Sequence, residues 1–204
     1  AKLAPPPPPP PPHAPVAIDG DADPHIILTG DIKALQPVYY ATDRKPAAAD
    51  APLEVSFTGE RSLSMSYGLS IVSIPKHHTI GNVERPKFRI LRLSREAETD
   101  ADHFRIKAMT PLDHDGFVNE IKGGAYSVLL FIHGYNVTFA DAVFRAAQIA
   151  FDANFAGTVV LFSWPSAGEL VAYDRDRESA EFAVPHLAAM FELLSKDVGK
   201  KNVY

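Results

Sequence analysis

The chain has 204 residues, of which 46% are hydrophobic and 22% charged, with a formal net charge of −5 and no cysteine. This length and balance fit one sizeable globular domain, or one domain with a tail. The composition excludes disulfides, thiolate nucleophiles and Cys-ligated zinc, argues against a nucleic-acid-binding surface, and contains no apolar run near the ~20 residues of a membrane span.

Residues 1–24 form a low-complexity segment with eight successive prolines, Pro5 to Pro12. Proline has no backbone N–H and favours a stiff polyproline II rod. The segment therefore predicts a disordered spacer, which would suit tethering. A ligand for a proline-binding domain is the alternative, although the flanking residues lack the basic side chains expected of one.

The folded domain is predicted to cover residues 25–204, and its first part, residues 37–112, is rich in strand patterns. Aromatic and β-branched residues in alternation predict strands at residues 25–30, Pro37–Arg44, Tyr67–Pro75, Phe88–Ser94 and His103–Leu112. Residues 45–65 predict a loop. A short helix is predicted at Asp115–Lys122, capped by Asp115.

Residues 125–204 have a different pattern, in which continuous apolar runs alternate with helical periodicity. The runs at Ala125–His133 and Thr158–Trp164 predict parallel strands buried on both faces. Thr138, with Asp141 three residues on, predicts the capped start of an amphipathic helix. A second helix is predicted from about Glu169 to Lys196, kinked or split at Pro185, before a strand that begins at Asn202. Together these elements predict an α/β fold with parallel β-α-β-α units.

His133-Gly134-Tyr135-Asn136 follows the first of these buried strands. Sites in open α/β sheets form beyond the carboxyl ends of the strands. Acyl transfer builds negative charge on a carbonyl oxygen, and a backbone N–H aimed at that oxygen contributes roughly 3–4 kcal/mol. We expect the Tyr135 N–H to be such an oxyanion donor, with Gly134 allowing the tight turn.

The order of strand, "HGYN", helix, strand and "FSWPS" resembles the α/β-hydrolase fold. More narrowly, the stretches "VYYATDR", "LLFIHGYNVTF", "LFSWPSAG" and "YDRDRESAEFA" resemble a bacterial branch of esterase/lipase-like proteins of largely unknown function. The resemblance covers roughly residues 37–204. It implies a small-molecule ester substrate, no cofactor, and bracing of the loop by His133 and Asn136. The compartment stays open between the cytoplasm and the periplasm or envelope.

The resemblance also implies where the catalytic residues lie. The nucleophile elbow follows the strand that starts at Asn202, and the acid and histidine come later in the chain. We therefore expect no catalytic triad residue among these 204 residues. They would form the N-terminal part of the hydrolase sheet and end just before the catalytic centre. On their own they are expected to be inactive. A serine in that elbow predicts an ester hydrolase, whereas an aspartate would indicate dehalogenase or epoxide-hydrolase chemistry.

Several residues have two interpretations at this stage. Ser166 follows the wrong strand and lacks the first glycine of an elbow, so it is predicted to be a loop residue. Trp164 and Tyr135 either line an acyl pocket or pack, and Tyr173–Arg177 form either a solvated face or a lid. No metal site is predicted, because surface loops explain the remaining acid and histidine clusters better: His77-His78, Asp100–His103 and Asp113–Asp115. A non-catalytic binding or tethering module is the alternative function.

Overall fold

The computed structural model describes residues 30–86, 88–89, 94–95, 97–168, 173–198 and 202–204. The proline-rich segment 1–24 and most of the strand predicted at 25–30 lie outside the described residues. None of the helices within the described ranges is both long and apolar enough to cross a membrane.

A mixed six-stranded sheet forms the centre of the fold, in the order β5-β2-β1-β7-β6-β8. Its strands are β1 (Ile32–Pro46), β2 (Phe57–Pro75), β5 (Arg105–Leu112), β6 (Ser127–Ile132), β7 (Thr158–Ser163) and β8 (Asn202–Val203). β5, β2 and β1 pair antiparallel, whereas β1, β7, β6 and β8 run parallel. The predicted α/β class is confirmed.

Three helices accompany the sheet: α1 (His114–Gly123), α2 (Phe139–Asp152) and α3 (Tyr173–Glu192). The Thr138 hydroxyl accepts the Asp141 N–H at 3.2 Å, so the predicted cap of α2 is confirmed. The cap predicted for α1 is wrong by two residues, because Asp113, not Asp115, accepts the Gly116 N–H at 2.7 Å. α3 continues through Pro185 without splitting, and a π-helical turn, Leu193–Asp197, follows it.

The loop predicted at residues 45–65 is also wrong, since β2 begins at Phe57 and the hairpin pairs out to Pro46 opposite Phe57. Residues 47–56, which include a short 3₁₀ helix, Leu53–Val55, connect the two strands. The start of β2 is mostly polar and partly exposed, so it lacks the apolar alternation that marks a half-buried strand. The single strand predicted at Phe88–Ser94 is replaced by a small antiparallel pair, β3 (Phe88–Arg89) and β4 (Ser94–Arg95).

β7 separates two hydrophobic clusters, one on each face of the sheet. Val159 and Leu161 pack on the α2 side, whereas Val160 and Phe162 pack on the side of α1 and α3. This alternation follows from the two-residue period of a strand. A strand covered on both faces has no polar face, which is why its sequence is continuously apolar. The parallel strands therefore end together at one edge, between helical layers.

Candidate functional site

The carboxyl ends of β1, β7 and β6 meet at one edge of the sheet. Thr42 lies opposite Ser163 in the β1–β7 register, and its hydroxyl donates to the Ser163 carbonyl at 2.6 Å. β6 ends at Ile132, and residues 133–138 then connect it to α2. This connection is called the 133–138 loop below. It occupies the position where open α/β sheets place their sites.

Arg44 is a buried cation that links the strand ends to this loop. Its side chain is 1% exposed. Its Nε donates to Ser163 Oγ at 2.9 Å, and its Nη atoms donate to the carbonyls of Ser166 and Val137, each at 2.8 Å. Burial lowers the pKa of the guanidinium to about 10, although nearby carboxylates oppose the shift. Arg44 therefore remains charged at neutral pH, and its hydrogen bonds hold the 133–138 loop against the ends of the strands.

Asp176, in the first turn of α3, holds the other side of the loop. Its carboxylate accepts the Asn136 N–H at 2.9 Å, the Ala167 N–H at 2.7 Å and the Ser166 hydroxyl at 2.5 Å. Burial raises the pKa of this carboxyl, but the three donors and the Arg44 charge outweigh burial and lower it. An ionised carboxylate that accepts several N–H groups is strongly held in place.

His133 is a buried neutral imidazole within the same network. Its Nδ1–H donates to the Gly134 carbonyl at 2.7 Å, and its Nε2 accepts from Ser163 Oγ at 3.2 Å. The ring stacks on Trp164 at a centroid distance of 5.0 Å, and Trp164 Nε1 donates to the His133 carbonyl. Burial, and then the Arg44 charge, lower the pKa of His133 to about 4. Its contacts suit bracing of the loop, since both ring nitrogens are occupied.

The four amides after His133 fall into two pairs. The Asn136 amide donates to Asp176, and the Val137 amide donates to Ser166 Oγ at 3.0 Å. Asn136 adopts the left-handed conformation, with φ of 56°, which asparagine tolerates better than most residues. Within the part of the chain that the structure describes, the amides of Gly134 and Tyr135 have no hydrogen-bond partner.

The side chains around these two amides leave space. A Cβ built on Gly134 would meet no described heavy atom within 4 Å. The Tyr135 side chain is 52% exposed and makes an edge contact with the Tyr173 ring, at 5.8 Å between centroids. A cavity of about 360 Å³ borders His133, Gly134 and the start of α2. Neither Tyr135 nor Trp164 is among the described residues that line this cavity.

The position of Ser166 does not suit a nucleophile. It is fully buried, donates to Asp176 and accepts from the Val137 amide. The segment Tyr173–Arg177 was open to two interpretations, a solvated face or a lid. Its Asp176 side chain is buried against the 133–138 loop, whereas the other four side chains are exposed. Sequence reasoning missed both Asp176 and Arg44 as site residues.

Two of the histidines expected in surface loops are buried instead. His78 Nδ1 contacts Glu84 Oε2 at 2.8 Å and its Nε2 contacts Asp152 Oδ1 at 2.8 Å, which ties the segment after β2 to α2. His103 Nδ1 accepts the Thr99 N–H at 3.1 Å. His77 and His114 are exposed, as predicted. No group of three potential metal ligands is found among the residues described.

Comparison with known proteins gives one match. Residues 114–204 match a family described as alpha/beta hydrolase of unknown function (DUF900). No curated protein and no solved structure matches the chain. The matched region contains β6, the 133–138 loop, α2, β7, α3 and β8. Over residues 114–204 the chain is therefore similar to a family that is described as an alpha/beta hydrolase of unknown function, and the α/β sheet of the structure agrees with that description.

Proposed function

We propose that the protein is a serine hydrolase acting on small-molecule carboxylic esters, and that the 133–138 loop supplies one arm of its oxyanion hole. The observation that carries this proposal is the pair of amides at Gly134 and Tyr135 that have no hydrogen-bond partner within the described residues. They lie at the carboxyl edge of the parallel strands, beside a cavity that borders Gly134.

The surroundings of these amides support the proposal because they are rigid. Arg44, His133 and Asp176 hold the loop at both ends. Donors that are fixed before the reaction need no reorganisation when negative charge develops, and one such donor contributes roughly 3–4 kcal/mol. The Tyr135 N–H is the donor that we assign, with Gly134 shaping the turn.

The nucleophile would stand beside this loop, at the end of β8. β8 runs parallel to β6, with Ser127 opposite Asn202 and Val128 opposite Val203. A β8 continuing in this register would reach the end of β6 about four residues after Val203, since parallel strands advance together. A serine elbow in the turn that follows would bring its own N–H as the second oxyanion donor.

The test is covalent labelling with a fluorophosphonate probe, together with hydrolysis of p-nitrophenyl butyrate. The polypeptide carried through the codons that follow Tyr204 is expected to label at one serine just after β8 and to turn over the ester. The 204 residues alone are expected to do neither. Ser166→Ala in the longer polypeptide should keep the labelling, although loss of the contact with the Val137 amide should slow turnover.

Two other results would reject the proposal. An aspartate in the elbow, with an alkyl-enzyme adduct, would indicate dehalogenase or epoxide-hydrolase chemistry. A folded polypeptide with no labelling and no turnover would favour a binding or tethering module built on the hydrolase scaffold.

A further inference from the structure

We propose that the cavity beside Gly134 binds a free carboxylate carried by the substrate, so that the preferred ester is the half-ester of a short dicarboxylic acid. This inference rests on the proposed function, because it places the ester carbonyl at the Gly134 and Tyr135 amides. The carboxylate would lie at the opposite end of the same cavity, against Arg145.

The cavity has apolar walls that suit a short hydrocarbon linker. Phe131 comes from β6, Val137 from the 133–138 loop, Ala142 from α2, and Val83 from the segment after β2. These side chains belong to the α2-side core or pack against it. Ligand sites are commonly apolar with a few placed polar groups that set orientation.

The charged groups that line the cavity give it a net positive charge. Arg85 and Arg145 line it together with a single carboxylate, Asp141, so the lining side chains carry one excess positive charge. Asp141 accepts the Thr138 hydroxyl at 2.7 Å. Arg85 lies over the Phe144 ring at 4.3 Å and approaches Glu98 at 3.4 Å, so its charge is already partly balanced.

The positive charge of Arg145 is not balanced by a carboxylate among the described residues. Its Nη1 donates to the neutral acceptors Gly81 O at 3.2 Å and Gln148 Oε1 at 2.8 Å. It forms no salt bridge with any carboxylate in the described ranges, not even with Asp141 one helical turn away. The remaining guanidinium N–H groups can donate two parallel hydrogen bonds to a carboxylate.

The size of the cavity limits the length of the substrate. Its volume is about 360 Å³, and the long side chain of Arg145 leans back towards the start of α2, as side chains on a helix do. A linker of a few methylene groups therefore suffices between the ester carbonyl and the carboxylate. A phosphate dianion fits less well, since the cavity has one excess positive charge and Asp141 would repel the second negative charge.

The first test is calorimetric titration of the 204-residue chain with monomethyl adipate, dimethyl adipate and inorganic phosphate. We expect binding of the monomethyl ester, weaker binding of the neutral diester, and no comparable binding of phosphate. Arg145→Gln should weaken monoester binding roughly 10- to 100-fold, the range for lost hydrogen bonds to a charged group. Arg145→Lys should weaken it less.

Arg177→Gln is the matched control, because Arg177 is exposed on α3 and pairs with Glu181 at 3.4 Å. It should leave monoester binding unchanged. Equal binding of monoester and diester, tighter binding of phosphate, or equal effects of the Arg145 and Arg177 changes would each overturn the inference.

The second test separates this inference from the proposed function. Monoester binding that depends on Arg145, in a longer polypeptide that hydrolyses no ester, would reject the serine hydrolase and keep the carboxylate site. Hydrolysis of neutral and anionic esters at equal kcat/KM, unaffected by Arg145→Gln, would reject the carboxylate site and keep the hydrolase.

Discussion

Asp176 and Asn136 are 40 positions apart in the sequence, yet the Asp176 carboxylate accepts the Asn136 amide at 2.9 Å. The first turn of α3 thereby fixes the loop that follows β6. The same carboxylate also accepts the Ser166 hydroxyl and the Ala167 amide. One buried anion therefore sets the conformation of two segments at the carboxyl edge of the sheet.

Replacing Asp176 with alanine is expected to lower the free energy of unfolding by about 3 kcal/mol, because it leaves two amides and a hydroxyl without their acceptor and each buried unsatisfied group costs ~1–3 kcal/mol. Urea denaturation measures the loss. Asp174→Ala is the control, since Asp174 is exposed in the same helical turn and its replacement should cost little. Equal losses in the two variants would contradict the anchoring role of Asp176.

Tyr135→Pro removes the N–H that we assign as the oxyanion donor, whereas Tyr135→Ala removes only the side chain. In a longer polypeptide that hydrolyses esters as proposed, the proline variant is expected to lose about 100-fold or more in kcat, the usual result of deleting one such donor. The alanine variant should lose far less. A thermal melt checks that both variants fold. Equal kcat values in two folded variants would mean that the oxygen is bound elsewhere.

The elements set by local pattern could be predicted from the sequence. Apolar runs located β6 and β7, and the Thr138 cap located the start of α2, because apolar runs and caps leave a mark within a few residues. Burial on both faces, predicted for both strands, is confirmed for β7 and is wrong for β6, in which only Val128 is fully buried. The start of β2 has no such pattern in its sequence. Most of its residues are polar, and they form a strand because they pair with β1 across the hairpin, as Arg61 does with Arg44.

The buried charges of the site could not be predicted in the same way. Arg44 looks like the charge that ends an exposed strand, and Asp176 lies in a run of alternating charges typical of a solvated helix face. Each is buried because its partners come from distant segments, such as Ser166, which is 122 positions from Arg44. Pairing of this kind depends on the tertiary fold, and a single sequence does not contain it.

His133 should make stability depend on pH in a defined window. Its pKa is 6.5 in the unfolded chain and about 4 in the folded protein, first because of burial and then because of Arg44. Between these values the unfolded chain binds the proton more readily. The contribution of the neutral His133 ring to the free energy of unfolding is therefore complete above pH 6.5 and is lost as the pH falls towards 4. The loss is ~1.4 kcal/mol per pH unit and about 3 kcal/mol in total.

His133→Gln should flatten this part of the stability profile, whatever its effect at pH 7. Urea denaturation at intervals from pH 7 to pH 4.5 gives the slope. Asp176 and Asp152, whose pKa values are lowered from 3.8, lose their contributions only below that window. The exposed His77, replaced by glutamine, is the control. Equal slopes in the wild type and His133→Gln would show that His133 is not buried as a neutral ring.

His78 anchors the wall of the cavity that carries Val83 and Arg85. Its ring joins Glu84 to Asp152, and Asp152 Oδ2 also accepts the Gly81 amide at 2.7 Å. His78→Leu would leave two partly exposed carboxylates without their shared partner, and loss of a hydrogen bond to a charged group typically costs ~1.5–3 kcal/mol. We expect lower stability and faster cleavage after Glu84 by a glutamate-specific protease.

His77→Leu is the matched control for this last prediction, because His77 is exposed and contacts Asp102 on the surface. The two variants add the same side chain at adjacent positions, so they differ mainly in what is removed. Since the His78 contacts join the segment to α2, cleavage after Glu84 should accelerate only in His78→Leu. Equal cleavage rates in both variants would mean that other contacts hold the cavity wall.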